Sequence, residues 1–242
     1  AEVALAPRLQ SVSRHGVGFD AVDVKALNAR KIPLTIVGDV NSRAVAEHTL
    51  MLMLAAARRT LAHHIASTTN NWNERNRFDS TELDGKSLLV LGFGRIGRLV
   101  SELALAFGMK VTTFDPFVTA DQATTLGVEH SSDMNTALSE ADFVSVHLPG
   151  GHGPVIGAAE LDLMKPSAII VNAARGGIVD EMALDAALRQ RKLRAAALDV
   201  LAQEPPAVDH PLVSNPFVTM SPHNAGLTEE CAMRMAIAAA QN

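Results

Sequence analysis

Short apolar runs alternate with stretches of helical pattern from Lys86 onward, and this alternation constrains the fold more than any other feature. Apolar runs without polar alternation are typical of strands covered on both faces, and strands separated by helices pair in parallel. The pattern therefore predicts an α/β fold with a doubly wound parallel sheet. The predicted strands are 87–91, 110–114, 143–147, 168–172, 195–200 and 217–220. The predicted helices between them are 96–107, 133–140, 157–163 and 181–189.

The residues before Lys86 predict a smaller piece and a long helix. Weak strand patterns at 9–13 and 33–37 flank a short helix at 22–29, and Asn41 or Ser42 caps a helix to about Arg59. This helix is apolar on nearly every face, which predicts burial in a core or against another subunit. Residues 66–82 are predicted to form a loop and 228–241 a terminal helix. Because two strands and a helix make a poor independent domain, we expect that residues completing this piece are missing from the chain.

Composition narrows the classes of function. The chain has 242 residues, 48% of them apolar and 19% charged, enough for a sizeable core. Its net charge of −5 gives no reason to expect nucleic acid or an anionic membrane as a partner. The longest apolar run, 50–57, is too short to span a bilayer, and the first residues lack the pattern of a secretion signal. The single cysteine, Cys231, predicts a reducing compartment, the cytoplasm, and a half-buried structural thiol.

A glycine string lies between the first strand and the first helix of the predicted sheet. Gly92, Gly94 and Gly97 form a G-x-G-x-x-G pattern, in which glycines permit a tight turn, a close approach to a pyrophosphate and close packing of helix on strand. Asp115 follows the next strand, about 20 residues on, where a carboxylate accepts hydrogen bonds from ribose hydroxyls. A ligand-free glycine turn is the plainer interpretation, but it does not explain all four features together. The set predicts NAD, and Asp115 disfavours NADP because it would repel a 2′-phosphate.

Three charged or titratable side chains follow the later strands, where open α/β sheets bind ligands. They are Arg175, Glu204 and His223. A histidine beside a carboxylate can give a proton to a carbonyl oxygen, and the planar fork of arginine can bind a carboxylate with two hydrogen bonds. Each also has a plainer interpretation, as a surface ion pair, a solvated loop residue or one of nine histidines. The spacing alone leaves that choice open.

Six segments occur together in one order and cover nearly the whole chain. They are 14–20 (RHGVGFD), 46–49 (AEHT), 91–97 (LGFGRIG), 172–181 (NAARGGIVDE), 197–205 (ALDVLAQEP) and 221–223 (SPH). As a set they resemble the D-isomer-specific 2-hydroxyacid dehydrogenase family, which includes phosphoglycerate dehydrogenases and hydroxypyruvate or glyoxylate reductases. The resemblance implies an NAD-dependent oxidoreductase that transfers a hydride between the cofactor and a small D-2-hydroxy acid or 2-oxo acid.

The resemblance also implies roles for single residues. Arg175 would bind the substrate carboxylate and polarise its carbonyl, and His223 would be the acid/base, held by Glu204. Backbone N–H groups around Val17 and Gly18 would bind the substrate carboxylate as well. Asp199 would help to seat the nicotinamide carboxamide. The residues that would line the cofactor are Gly92, Gly94, Arg95, Ile96, Gly97, Asp115, His147, Leu148, Pro149, Ala173, Ala174, Arg175, Asp199, His223 and Ala225.

The domain organisation and the partners follow from the same resemblance. Residues 41–223 would form a Rossmann-like NAD-binding domain, and 1–40 with 224–242 an incomplete flavodoxin-like substrate domain built from both chain ends. Dimers in the family pack through the cofactor domain, so a homodimer is expected in which the helix 42–59 is buried. No metal, nucleic acid or membrane is expected as a partner.

The chain departs from the family pattern at two places. The loop 150–154 after the His-x-Pro turn lacks the usual threonine, which puts one cofactor contact in doubt. After His223, a glycine is common two residues on, where this chain has Ala225 followed by Gly226.

Two other functions and the substrate stay open on the sequence alone. Some relatives are transcriptional corepressors that sense NAD(H) on the same scaffold. Formate dehydrogenases share the fold but usually have glutamine as the partner of the histidine, and Glu204 disfavours that function. Arg14, Arg75 and Arg77 would suit a substrate phosphate, or would be solvated surface residues.

Overall fold

The computed structural model describes residues 5–151 and 153–242. Its strands are β1 (Val12–Ser13), β2 (Leu34–Thr35), β3 (Ser87–Leu91), β4 (Lys110–Phe114), β5 (Glu129–His130), β6 (Phe143–Val146), β7 (Ile169–Asn172), β8 (Ala195–Leu198) and β9 (Val218–Met220). Its α-helices are α1 (Val24–Ala29), α2 (Ser42–Ala57), α3 (Thr60–Thr68), α4 (Arg95–Ala106), α5 (Ala120–Thr124), α6 (Met134–Glu140), α7 (Ala158–Leu163), α8 (Glu181–Arg189) and α9 (Glu229–Gln241). Short 3₁₀ helices span Trp72–Arg77 and Pro211–Ser214.

The chain divides into two compact units. The first unit is Ala1–Ala44 with Gly226–Asn242, and the second unit is Val45–Ala225. These units have boundaries near those of the two predicted domains. That one domain binds NAD and the other the substrate stays a prediction.

The first unit has a two-stranded parallel sheet, β1 with β2, and the C-terminal helix. The helix α9 begins where the Thr228 hydroxyl accepts a hydrogen bond from the backbone N–H of Cys231 at 3.1 Å. Cys231 is fully buried in a small core, so the prediction of a half-buried thiol is wrong: the residue lies on the inner face of the helix. The other buried members of this core are Val37, Ala44 and Met235.

The second unit is built on a parallel sheet with the strand order β5-β4-β3-β6-β7-β8-β9. Its first strand in sequence, β3, lies between β4 and β6 and pairs with both in parallel. The chain therefore winds outward from β3 in both directions. In such sheets the carboxyl ends of the two strands at the reversal point flank a crevice that binds ligands. The predicted doubly wound, Rossmann-like sheet is confirmed.

Helices cover both faces of this sheet, which explains why its strands show no polar alternation. Leu88 and Val90 of β3 pack into a core with α2 and α4 on one face. Leu89 and Leu91 point the other way, into a core with α6, α7 and α8. Because every strand position then meets a core, each one has to be apolar or internally satisfied.

The segment after α2 differs most from its prediction. The helix ends at Ala57, and Arg59 has the left-handed backbone conformation (φ 50°), which breaks the chain direction before α3 begins. Residues 66–82, predicted to be a loop, therefore begin inside a helix and also contain the 3₁₀ helix Trp72–Arg77. At the end of α3, threonine hydroxyls donate to carbonyls one turn back, as Thr69 does to Ile65 at 2.8 Å.

Besides α3 and the two 3₁₀ helices, the short helix α5 and the two-residue edge strand β5 were not predicted. The predicted strands of the sheet end one or two residues too late at β6 and β8, and begin one residue too early at β7 and β9. Within the described ranges no helix is long and apolar enough to cross a membrane.

Candidate functional site

The glycine turn connects β3 to α4 at the centre of the sheet's carboxyl edge. Gly92 has φ +91°, a conformation that side chains rarely adopt. A Cβ atom there would lie 2.6 Å from the carbonyl oxygen of His147, at the end of β6. A Cβ atom on Gly97 would overlap the carbonyl of Gly92, so the helix packs closely against the strand end. The turn therefore needs glycine at both positions.

The backbone at Gly94 is open, and its chemistry suits a phosphate group. A Cβ atom built on Gly94 meets no atom within 4 Å, so the middle of the turn is open. Gly94 is also the N-cap of α4 and offers no side chain to cap it. Backbone N–H groups at an uncapped helix N-terminus, together with the helix dipole, suit a bound phosphate. Arg95, Ile96 and Gly97 form the first turn of this helix.

Asp115 follows β4 directly and is tied to the glycine turn. Its Oδ2 accepts a hydrogen bond from the backbone N–H of Phe93 at 2.8 Å, and its Oδ1 accepts one from Phe117 at 2.9 Å. The carboxylate thus holds the turn in shape. Each of its oxygens has a second lone pair that remains suited to a hydroxyl donor.

The His147-Leu148-Pro149 turn lies on the other side of Gly92, at the end of β6. The Nε2 of His147 is 2.8 Å from the Ser145 hydroxyl. Burial lowers the pKa of His147 to about 4, so its imidazole is neutral at neutral pH. A contact of this turn with the cofactor stays a prediction.

Arg175 follows β7 on a turn that Asn172 fixes. The Asn172 side chain accepts a hydrogen bond from the N–H of Ala174 at 3.0 Å and donates one to the carbonyl of Arg175 at 2.9 Å. The guanidinium donates to the Ala174 carbonyl at 2.7 Å. A Cβ atom at Gly150 would lie 3.1 Å from the Arg175 side chain, so a glycine there leaves room for it. In the loop 150–154, His152 lies outside the described residues.

Glu204 and His223 form a hydrogen-bonded pair. The Nδ1 of His223 is 2.5 Å from Oε2 of Glu204, and Oε1 of Glu204 accepts the backbone N–H of Leu201 at 2.9 Å. Both side chains are partly open, with 53% of His223 and 35% of Glu204 exposed. Because Nδ1 is engaged, Nε2 is the ring nitrogen left to meet a substrate.

Asp199 is a buried anchor for the segment that carries His223. It is 2% exposed and accepts hydrogen bonds from the Ser221 hydroxyl at 2.6 Å and from the N–H groups of Asn224 and Ala225 at 3.0 Å. Its carbonyl accepts the N–H of His223 at 2.8 Å. These bonds hold His223 in the left-handed conformation (φ 51°). A contact of Asp199 with the nicotinamide stays a prediction.

His48, on α2, extends this network, and sequence reasoning gave it no role. Its Nε2 lies 2.9 Å from the Ser221 hydroxyl oxygen and 3.4 Å from Oδ1 of Asp199. Since the hydroxyl of Ser221 donates to Asp199, this geometry suits an Nε2–H group that donates to Ser221. The AEHT segment was part of the resemblance, but only the structure shows what its histidine contacts.

The strand order brings the three predicted catalytic residues to one edge. Arg175, Glu204 and His223 follow β7, β8 and β9, which are neighbours in the sheet. The loops of the first two touch, because a Cβ atom on Gly176 would overlap the carbonyl of Leu201. Ala173 is buried with Val45 and Ala225 in a small apolar cluster, against which the partly buried Ile96 of the glycine turn packs.

The remaining predicted residues belong to the first unit or are already paired. Val17 and Gly18 belong to the first unit, where the carbonyl of Gly18 accepts a hydrogen bond from Arg14. Arg77 pairs with Glu74 and Asp79 at 3.1 Å. Two of the three arginines considered for a substrate phosphate thus already contact other groups.

Strand order, glycine turn and the acid after β4 together define a dinucleotide-binding α/β protein. Residues 50–225 match the family model described as "D-isomer specific 2-hydroxyacid dehydrogenase, NAD binding domain". The chain belongs to the D-isomer specific 2-hydroxyacid dehydrogenase family. The predictions of the family and of NAD as the cofactor are confirmed.

Among curated relatives, the chain is 43% identical over 227 residues to D-3-phosphoglycerate dehydrogenase of Methanocaldococcus jannaschii, covering 93% of this chain and 43% of the relative. It is 41% identical over 245 residues to glyoxylate reductase of Aeropyrum pernix. That match covers 98% of this chain and 73% of the relative. The chain thus spans less than half the length of the phosphoglycerate dehydrogenases that it matches.

Among solved structures, D-lactate dehydrogenase with NAD⁺ from Lactobacillus jensenii matches with a TM-score of 0.83 and 27% identity, over 96% of this chain and 74% of that one. A Granulicella formate dehydrogenase matches with a TM-score of 0.91 and 27% identity. That match covers 99% of this chain and 64% of the formate dehydrogenase.

Proposed function

We propose that the protein transfers a hydride between NAD(H) and a small D-2-hydroxy acid or its 2-oxo acid, of the 3-phosphoglycerate, hydroxypyruvate or glyoxylate type. The observation that carries this proposal is the hydrogen bond between Glu204 and His223 at the same sheet edge as the glycine turn. An imidazole oriented by a carboxylate is suited to give and take a proton near neutral pH. The names of the relatives support the substrate class.

The proposed mechanism divides the work among three side chains. When bound, NADH would supply the hydride that reaches the carbonyl carbon of the substrate, and NAD⁺ would accept it from that carbon in the oxidative direction. The Arg175 guanidinium binds the substrate carboxylate and polarises the carbonyl. Protonated His223 gives its Nε2 proton to the carbonyl oxygen, while Glu204 stabilises the imidazolium through Nδ1. In the oxidative direction, neutral Nε2 accepts the hydroxyl proton.

The cofactor is proposed to lie across the crevice between β3 and β6. The first turn of α4, from Arg95 to Gly97, would bind the pyrophosphate and Asp115 a ribose. The other residues proposed to line the cofactor are His147, Leu148, Pro149, Ala173, Ala174, Arg175, Asp199, His223 and Ala225.

A substrate panel tests the proposed function. The protein is mixed with NADH and hydroxypyruvate, glyoxylate or 3-phosphohydroxypyruvate, and loss of NADH absorbance is followed. We expect turnover with at least one of them. Tight NADH binding without turnover of any small 2-oxo acid would contradict the proposal and favour an NAD(H)-sensing binding protein.

Substituting Glu204→Gln is expected to move the pH dependence of the reaction. Glutamine can keep a hydrogen bond to Nδ1 but removes the charge that stabilises the imidazolium, so reduction should lose its rate at a lower pH. The measurement is kcat/KM against pH. Glu102→Gln, the same change on an exposed position of α4, is the control, and an unmoved profile in E204Q would refute the pairing.

A second copy of the chain is proposed to cover the apolar groove between α2 and α4. Leu50, Met51 and Leu54 line it from α2, and Leu103 and Phe107 from α4 and its C-terminus. Met51 and Phe107 are 46% and 45% exposed, and a contiguous exposed apolar patch marks an interface. A closed dimer would bury the same patch of both copies. A cytoplasmic location stays a prediction.

Substituting Leu54→Glu is expected to weaken that dimer at least about tenfold, because a charge buried at the centre of an interface lacks a partner. Sedimentation velocity over a range of concentrations measures the association. Leu126→Glu adds the same charge at an apolar side chain that is 45% exposed and outside the groove. A monomeric wild type, or equal association of L54E and wild type, would rule out this interface.

A further inference from the structure

The loop that carries Glu204 is anchored at both ends by one carboxylate. This loop, 201–210, follows β8 and is largely exposed, including Val208 at 100%. Glu181 is the first residue of α8. Its Oε1 accepts the backbone N–H of Ala202 at 2.5 Å, and its Oε2 lies 3.1 Å from Nε2 of His210.

The anchor is enclosed, unlike the loop that it holds. The side chains of Glu181 and His210 are 14% and 18% exposed. The Nδ1 of His210 is buried and has no hydrogen-bond partner among the described atoms, so Nε2 is the ring nitrogen that can donate, and it faces Glu181. The Glu181 carboxylate accepts the N–H of Ala202, and a hydrogen bond to a charged acceptor is stronger than one between neutral groups.

Glu181 is connected to predicted catalytic residues in two ways, through its contact with Ala202 and through its own place in the chain. Ala202 is adjacent to Leu201, whose N–H holds Oε1 of Glu204. Glu181 also follows the Arg175-Gly176-Gly177 turn by a few residues, and Gly176 packs on the Leu201 carbonyl. One side chain therefore connects the turn after β7 to the loop after β8.

We propose that Glu181 is a positioning residue that fixes Glu204 against His223, with His210 closing the far end of the loop. The proposal rests on the proposed function for its catalytic meaning, but the positioning itself is a property of the chain without cofactor. Glu181 is not expected to touch substrate or cofactor.

The test compares E181A, E181Q and the control D185N in the whole chain. Asp185 lies one turn later on α8 and is buried; its hydrogen bonds go to Arg189 and Asn215, and it meets His210 only through charge, so D185N removes a carboxylate of α8 without releasing the N–H of Ala202. The first readout is an NMR titration of the His223 side chain in the cofactor-free protein, with E204Q as the reference for a lost partner. The second is kcat and the KM for NADH, with hydroxypyruvate or glyoxylate as substrate.

We expect E181A to move the His223 titration at least halfway toward that of E204Q and to lower kcat roughly ten- to a hundredfold, with an unchanged KM for NADH. E181Q should stay close to wild type, since its amide oxygen still accepts from Ala202, and D185N should leave the titration unmoved. A His223 titration in E181A equal to that of wild type, or moved equally by D185N, would overturn the proposal.

Two further results distinguish a failure of the proposed function from a failure of the proposed role of Glu181. If wild type shows no turnover, the proposed function fails, and the titration alone still decides the role of Glu181. If E181A does not fold, H210A decides, because it opens only the far end of the loop. A smaller shift of the His223 titration in the same direction supports the anchor, and no shift overturns it.

Discussion

Replacing His223 with asparagine is expected to lower kcat for reduction of a 2-oxo acid by about 10²- to 10⁴-fold, the usual contribution of general acid–base catalysis. Asparagine cannot give a proton to the carbonyl oxygen. It tolerates the left-handed backbone conformation of this position (φ 51°) better than most residues, so the segment held by Asp199 should keep its shape. The affinity for NADH, measured by fluorescence titration, should change little.

The matched control is His64→Asn, an exposed histidine of α3 that contacts none of the site. It should have wild-type kcat. If H223N kept a rate within about tenfold of wild type while still binding NADH, another group would have to supply the proton, and the role of the Glu204–His223 pair would be lost.

Replacing Arg175 with alanine is expected to lower kcat/KM for the 2-oxo acid roughly thirty- to several-thousandfold. That range corresponds to the about 2 to 5 kcal/mol lost when one partner of a buried, hydrogen-bonded charge pair is removed. Arg175→Lys keeps the charge but not the planar fork, so its loss should lie between those of wild type and R175A. Steady-state kinetics at saturating NADH measures both variants.

Arg58→Lys, on an exposed arginine directly after α2, is the control and should have no effect. A loss in R175A that appears only in the KM for NADH would place Arg175 on the cofactor and not on the substrate carboxylate.

The central strands of the sheet were predictable because a strand that is buried on both faces appears in the sequence as a continuous apolar run. The ranges 87–91 and 110–114 match β3 and β4 residue for residue. The edge strand β5 consists of Glu129 and His130, and two polar residues do not form an apolar run. The helix α3 was missed because its threonines and serine are weak helix formers. In the structure the hydroxyl of Ser67 donates to the carbonyl of His63 one turn back, so it is satisfied within the helix.

The site was predictable where chain order and strand ends determine it. The acid after β4 and the residues after β7, β8 and β9 lie where a parallel sheet places them. The contacts of His48 with Ser221, and of Glu181 with Ala202 and His210, join residues far apart in sequence through side-chain directions. No spacing rule encodes such contacts, so the sequence alone does not show them.

Transfer of deuterium from NADH labelled at nicotinamide C4 to the product is the most direct test of the central claim. With hydroxypyruvate or glyoxylate as acceptor, we predict product that carries the label on the carbon that was the carbonyl, and with hydroxypyruvate the D configuration at that carbon. When NADH carries deuterium on the face that is transferred, mass spectrometry should show one deuterium in each product molecule. Product without deuterium when either face of NADH is labelled, or no product despite bound NADH, would contradict the account.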